Sequence, residues 1–374
     1  MRMTLLASAV LSLIAASASA QTEPSFLSAQ ASADWSELDK TQDTLSALMG
    51  SLKNESGQAD RLMLPTQYEK YGQWWGIGAK IAETEVTARA FATPAKSVAP
   101  APSQTVQPWM SADVGAAWSQ GYKGQGTTIT VVDDFKSSTA FYGDLIGAVQ
   151  YGRHGQWTGT EAKLVAPSAT VRALDYTTGR TVPLAKGLNV LNLSYGMMAP
   201  AGYSAIRWSA QETSIINYAK KGTAIISKAA GNDSGIAIGG TNKSGQVDYL
   251  GRDLIGAQSA IFVGALNTNG TPTAKASLAS YSNIAGSNLT VQKQFLTVGV
   301  DANQTGLAGT SFAAPIITGY AAILGSKFTK ATPTQITNQL LTTARTDTIS
   351  GYSASVHGRG EASLSRALSP IAIK

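Results

Sequence analysis

Gly309-Thr310-Ser311-Phe312-Ala313-Ala314-Pro315 sets a serine between a glycine turn and an apolar run. Behind it Phe312, Ala313, Ile316, Ile317, Tyr320, Ile323 and Leu324 recur at helical spacing, which predicts a buried helix. Thr310 or Ser311 is the expected N-cap. Pro315 falls near the first turn, where its missing N–H costs least. A helix N-terminus offers backbone N–H groups that the helix itself does not use, together with the positive end of its dipole. Those groups can satisfy a cap or hold an anion. From this stretch alone, a capped core helix and a reactive serine explain the pattern equally.

Outward from this stretch, strands alternate with helices. Val114 to Trp118 reads as a short helix, and Thr128 to Val132 as a buried strand ending at Asp133-Asp134. Further strands are expected at Thr170 to Leu174, Leu188 to Ser194, Thr223 to Ser227 and Ala260 to Ala265. A helix is expected from Ile206 to Lys221, closed by Gly222, and another after Thr332-Pro333, carrying Ile336, Leu340 and Leu341. This alternation predicts an α/β fold with a mainly parallel sheet covered on both faces. Functional groups in such sheets gather at the carboxyl ends of the strands. Asp133, Ser194 and Asn232 all fall at such ends.

The N-terminal part differs in style. Arg2, an apolar run from Leu5 to Ala16 and the small residues Ala18-Ser19-Ala20 match a cleavable export signal over residues 1–20. A secreted or periplasmic protein with no stable membrane anchor is expected. Residues 21–92 carry a helix-like pattern from Trp35 to Leu52 and a weak strand-like one from Ile81 to Phe91. Residues 93–108 are rich in proline and alanine and read as a linker. Residues 109–374 form the main domain. Charged residues make up only 14% of the 374, against a typical ~25%. The net charge of +6 is spread without a basic block, which argues against nucleic acid as a partner. With no cysteine, disulfides, thiol catalysis and cysteine-ligated zinc are excluded.

A nucleophilic serine needs a base, a group to orient that base, and donors for an oxyanion. Histidine is the usual base, and the chain has two, His154 and His357. His357 lies in a Gly-rich tail that reads as a surface turn. The order Asp133, His154, Asn232, Ser311 then resembles the subtilisin-like serine peptidases (peptidase family S8). The resemblance is carried by Ile129 to Asp133, by His154-Gly155, by Leu193-Ser194-Tyr195-Gly196, by Ala229-Ala230-Gly231-Asn232 and by the Ser311 stretch. It covers residues 105 to 370.

The resemblance implies a subtilisin-like three-layer fold preceded by a small α+β pro-region over residues 21–92. It implies a secreted serine endopeptidase made as a zymogen, with protein or peptide substrates and its own pro-region as intramolecular inhibitor. Asp133, His154 and Ser311 would be catalytic, with Asn232 and the Ser311 N–H as oxyanion hole. Ser194, Tyr195, Gly196, Ala229, Ala230 and Gly231 would bind substrate, the small residues leaving room for a large apolar side chain. No cofactor is implied, and no pattern settles calcium or other metal binding. Three departures stand out. Two adjacent carboxylates, Asp133 and Asp134, replace the usual single one; Asp133 continues the strand, so Asp134 is read as a surface or loop-capping residue. Trp157 replaces a second histidine and is expected to shape the substrate site. The interval between Asp133 and His154 is short. A non-catalytic binding protein on the same fold and an esterase using the same machinery are the competing readings.

Overall fold

The computed structural model describes residues 62–63 and 105–373. The readings made for residues 1–20, for nearly all of 21–92 and for most of the linker lie outside the described residues. The core of the fold is a six-stranded sheet, whose members are short runs of branched and apolar residues. They are β2 (Thr127–Asp133), β5 (Thr170–Asp175), β6 (Leu188–Leu193), β9 (Ile225–Ala229), β11 (Ala260–Leu266) and β12 (Phe295–Gly299). Their order across the sheet is β12-β11-β9-β6-β2-β5. Every neighbouring pair is parallel, as the alternation of strands and helices predicts. Shorter strands lie outside this sheet: β1 (Leu62–Met63) beside β8 (Ile206–Arg207), β3 (Phe141–Gly143) beside β4 (Gln150–Gly152), and β7 (Met198–Pro200) beside β10 (Gln246–Asp248).

The register places the functional candidates on one rim. Asp133 lies opposite Asp175, Val132 opposite Leu193, and Leu193 opposite Lys228. The strand order reverses at β2, since β5 flanks it on one side and β6 on the other. A crevice opens at such a switch point, beyond the carboxyl ends of the strands. Asp133, Ser194 and the segment after Ala229 border it.

Helices α1 (Ala112–Ser119), α2 (His154–Val165), α3 (Ala210–Lys221), α4 (Tyr249–Leu254), α5 (Ala314–Lys327) and α6 (Pro333–Thr342) are among those of the described residues. Helix α5 is buried from Ala314 to Ser326. Each fully buried Ile or Leu on it contributes ~1.5–3 kcal/mol relative to exposure. The helix is therefore anchored along its length, and the turn that precedes it is held against the sheet. Two sequence readings change here. Thr310–Phe312 is a separate 3-10 turn and α5 begins only at Ala314, with Ala313 as a cap that uses no side chain. Ser311 is therefore not its N-cap. The helix expected from Ile206 begins at Ala210, because Ser209 caps it through the Gln211 N–H and Ile206–Arg207 is drawn into a strand with β1. The expected capping at Thr332 holds, with reciprocal bonds to Gln335. Among the described residues no helix is long and apolar enough to cross a membrane.

Candidate active site

Strand β2 delivers Asp133 to the rim, where its carboxylate is almost wholly buried. A buried charge is stable only when its oxygens are met by donors. Oδ1 accepts the Asp134 N–H at 2.7 Å and lies 2.6 Å from His154 Nδ1. Oδ2 accepts the Thr158 hydroxyl at 2.9 Å. His154 and Thr158 are four residues apart on α2 and so share a face. An imidazole that donates from Nδ1 to a carboxylate carries its basic lone pair on Nε2. The ring stands between Phe141 and Phe312, with centroids at 6.2 and 5.8 Å. Phe312 adjoins Ser311, so the serine turn packs directly on the histidine.

Gly155 allows this approach. Its N–H donates to Asp134 O at 3.0 Å. A Cβ there would lie 2.6 Å from that oxygen and 2.8 Å from the Phe135 ring. Asp134 closes its own loop, accepting the N–H groups of Lys136 and Ser137 at 2.9 and 2.8 Å and the Ser137 hydroxyl. It is a loop-capping residue, though a buried one rather than a surface one.

The serine turn is tied to two strand ends. Gly309 has φ 132° and ψ 152°, a region that is essentially glycine's alone. The Ser311 hydroxyl donates to Ser194 O at 3.2 Å, and the Ser194 hydroxyl donates to Ser311 O at 2.8 Å. Asn192 Nδ2 in turn donates to Ser194 Oγ at 2.9 Å. On the other side, Asn232 Oδ1 accepts the Thr310 N–H at 2.9 Å and its hydroxyl at 3.0 Å. Gly231 N–H donates to Thr310 Oγ1 at 3.0 Å. The Asn232 amide plane is thus fixed by its oxygen edge, which determines the direction of its Nδ2–H bonds.

The remaining sequence candidates divide. Ala229 and Ala230 line a cavity with Asp233, Gln246 and Asp248. Ser194 is buried against the serine turn, and Gly196 is also buried. The Tyr195 ring is buried and stacked on Tyr176, centroids 5.8 Å apart. Burial, and then the charges of Glu212, Asp248 and Asp133, push the Tyr195 phenol well up. Two expectations need correction. Trp157 does not face a substrate: it is buried, and its Nε1–H bonds to Gly152 O at 3.1 Å and Phe141 O at 3.2 Å, pinning the β3–β4 hairpin. His357 is not an exposed turn residue: it ends a one-turn helix with its own side chain buried, and burial lowers its pKa. Sequence reasoning passed over the fully buried Lys228, which pairs with the partly buried Asp248 at 2.9 Å. The available signal was a lysine inside an otherwise apolar strand.

Glu161 lies on the same helix as His154, fully buried. Burial raises its pKa well above the ordinary carboxyl value. The folded state therefore holds a proton that the unfolded chain releases as pH rises. Stability contributed by the neutral acid is present at low pH and declines as pH climbs from the ordinary range, ~4.5, toward the folded pKa. Glu161→Gln mimics the neutral form and removes this slope. The variant is expected to melt at least roughly 2 °C above wild type at pH 8, the order expected for 1 kcal/mol, with the gap closing at pH 4.5. Thermal melts across that range test this; a gap independent of pH contradicts it.

Residues 149–362 match the sequence model of the subtilase family. Subtilisin DY of Bacillus licheniformis is 27% identical over 248 residues, spanning 60% of this chain and 86% of that protein. Among solved structures, MycP1 from the ESX-1 type VII secretion system is 19% identical, covering 73% of this chain and 88% of its own, with a TM-score of 0.45. An S41 psychrophilic protease is 17% identical, covering 70% and 99%, with a TM-score of 0.44. With the family's sequence model matched over more than half its length, this chain belongs to the subtilase family, and it is a serine-type peptidase, a hydrolase acting on peptide substrates. Asp133 lies upstream of the matched segment and is joined to it by the 2.6 Å contact with His154.

Proposed function

We propose that the chain is an exported endopeptidase that cleaves peptide bonds through an acyl-enzyme on Ser311. The single observation that carries this reading is the short contact between His154 Nδ1 and a buried Asp133 carboxylate, on the helix against which the Ser311 turn packs. His154 Nε2 takes the hydroxyl proton as Ser311 Oγ attacks the scissile carbonyl. Asp133 holds the ring and stabilises the imidazolium that results. The negative charge that develops on the carbonyl oxygen is met by Asn232 Nδ2–H and the Ser311 N–H. His154 then passes its proton to the leaving amine, the C–N bond breaks, and water repeats the sequence to release the acid.

Asn232→Ala is expected to lower kcat by ~10²–10³ with KM little changed, the cost of one oxyanion donor. Casein and peptide hydrolysis by wild type and variant test this, and an unchanged kcat removes Asn232 from the mechanism. Export through residues 1–20 and removal of the segment from Gln21 to about Ser103 complete the reading. N-terminal sequencing of protein recovered outside the cytoplasm checks both: a start near residue 105 supports maturation, whereas a start at Gln21 overturns it.

A further inference from the structure

The hairpin between Asp133 and His154 carries an apolar outer face. Its strands β3 and β4 pair antiparallel, with Tyr142 directly opposite Tyr151. The two rings lie against each other, centroids 4.8 Å apart, yet Tyr142 is 50% and Tyr151 62% exposed. Ile146 and Val149, in the loop that joins the strands, are 45% and 70% exposed. Four of the seven exposed large apolar side chains among the described residues thus belong to this one hairpin. Scattered singly they would need no explanation; gathered together they mark a surface that another molecule covers.

The loop is built rather than loose. Leu145 is buried, and the Trp109 indole N–H donates to its carbonyl at 2.9 Å. Asp144 Oδ1 accepts the N–H groups of Ile146 and Ala148 at 3.0 and 2.7 Å. The hairpin is also joined to both halves of the reacting centre. The Phe141 ring lies beside His154, and β4 leads through Arg153 into the helix that His154 opens. On the serine side, the Asp144 N–H donates to Thr305 O at 2.7 Å. Gly143 approaches Leu307 so closely that a Cβ would stand 2.5 Å from that side chain. Leu307 is two residues before Gly309, where the serine turn starts.

We propose that the Tyr142–Tyr151 face receives an apolar side chain of the polypeptide substrate, several residues beyond the scissile bond on its leaving side. The proposal rests on the catalytic reading of His154 and Ser311. His154 hands its proton to the leaving amine, so the leaving half of the substrate starts on the His154 side of the bond. Side chains alternate along a strand, so Tyr142 and Tyr151 stand on the face opposite to Phe141. A substrate strand that crosses the hairpin edge at ~3.3 Å per residue reaches that face about three to five residues past the bond. Tyrosine suits such a contact, because it offers a large rigid ring at little conformational cost and keeps a hydroxyl for water. Tyr142, Ile146, Val149 and Tyr151 bring no charge, so the side chain they accept is aromatic or aliphatic.

A peptide series tests this. The acyl side is held constant, and Phe, Leu, Ser or Asp is placed at the third, fourth or fifth position after the bond. At one of these positions Phe or Leu is expected to raise kcat/KM about tenfold over Ser, the size of one well-packed aromatic contact. In the double variant Tyr142→Ser/Tyr151→Ser that advantage should vanish. A p-nitroanilide with the same acyl side has no residue beyond the bond. Its hydrolysis by the double variant should match that of wild type, which also shows that the variant folds. Equal kcat/KM for Phe and Ser, an advantage that survives the double variant, or equal losses on peptide and p-nitroanilide each overturn the inference. So does self-association, or sedimentation with phosphatidylglycerol vesicles, that the double variant abolishes, since a second copy or a lipid surface would then be the occupant. Fluorophosphonate labelling separates the two readings: a labelled Ser311 without a Phe advantage sinks this inference alone, whereas an unlabelled Ser311 with no peptide cut sinks the catalytic reading as well.

Discussion

Ser311→Ala is expected to lower kcat for peptide hydrolysis by about 10⁶-fold, the order found for the equivalent change in subtilisin, the relative that supplies this magnitude. The size follows from what the hydroxyl does. Without Oγ there is no acyl intermediate, His154 has no proton to take, and the residual rate comes from the oxyanion donors and binding alone. The structural cost is small by comparison. The hydroxyl donates to Ser194 O, and a neutral hydrogen bond of this kind contributes ~0.5–1.5 kcal/mol. The turn stays tied through Thr310 to Asn232 and Gly231, and through Ser311 O to Ser194. A folded, inactive protein is therefore expected, with Tm lowered by no more than ~5 °C. Measuring kcat and Tm together separates lost chemistry from lost folding. A variant that keeps more than a hundredth of wild-type turnover contradicts the assignment.

The second large effect belongs to Asp133→Asn, expected to lower kcat by ~10⁴ with little change in KM. Every group around this carboxylate in the described structure is a donor: the Asp134 N–H, the Thr158 hydroxyl and His154 Nδ1. An amide brings an NH2 where one of those donors expects an oxygen. If the NH2 faces His154, the ring turns its lone pair to Nδ1 and its proton to Nε2, which can no longer accept from a serine. If it faces Thr158, the histidine keeps its orientation but loses the charge that stabilises the imidazolium. Both arrangements disable the base. Steady-state kinetics with one peptide substrate check this, and a loss below tenfold would show that the carboxylate is not needed.

How much of this was legible beforehand follows from where each signal resides. The parallel sheet was readable because its central strands are short runs of branched and apolar residues such as Ile129 to Val132, buried on both faces. The pairing of Asp133 with His154 was readable as order along the chain, since one ends a strand and the other opens a helix. What escaped depends on contacts distant in sequence. Ser311 reads as a cap locally, but Thr310 bonds to Asn232 and hold the turn in 3-10 form. Trp157 reads as a substrate-facing replacement until the carbonyls of Gly152 and Phe141 claim its indole N–H. His357 sits among glycines that suggest exposure, yet the tail folds back so that Arg359 N–H bonds to Phe295 O and Gly360 O accepts from Thr297. The cavity beside Ala229 and Ala230 was hidden for the same reason, because Asp233, Gln246 and Asn283 meet only in the folded chain.

The proposed chemistry requires Ser311 to be an activated nucleophile. A fluorophosphonate forms a covalent bond to such an oxygen and not to an ordinary structural serine, so labelling followed by peptide mass mapping tests it most directly. The prediction is a single adduct on the peptide containing Ser311, lost in Ser311→Ala and strongly slowed in His154→Ala. An adduct elsewhere, or an unlabelled Ser311 in folded wild-type protein from which residues 21–92 have been removed, would contradict it.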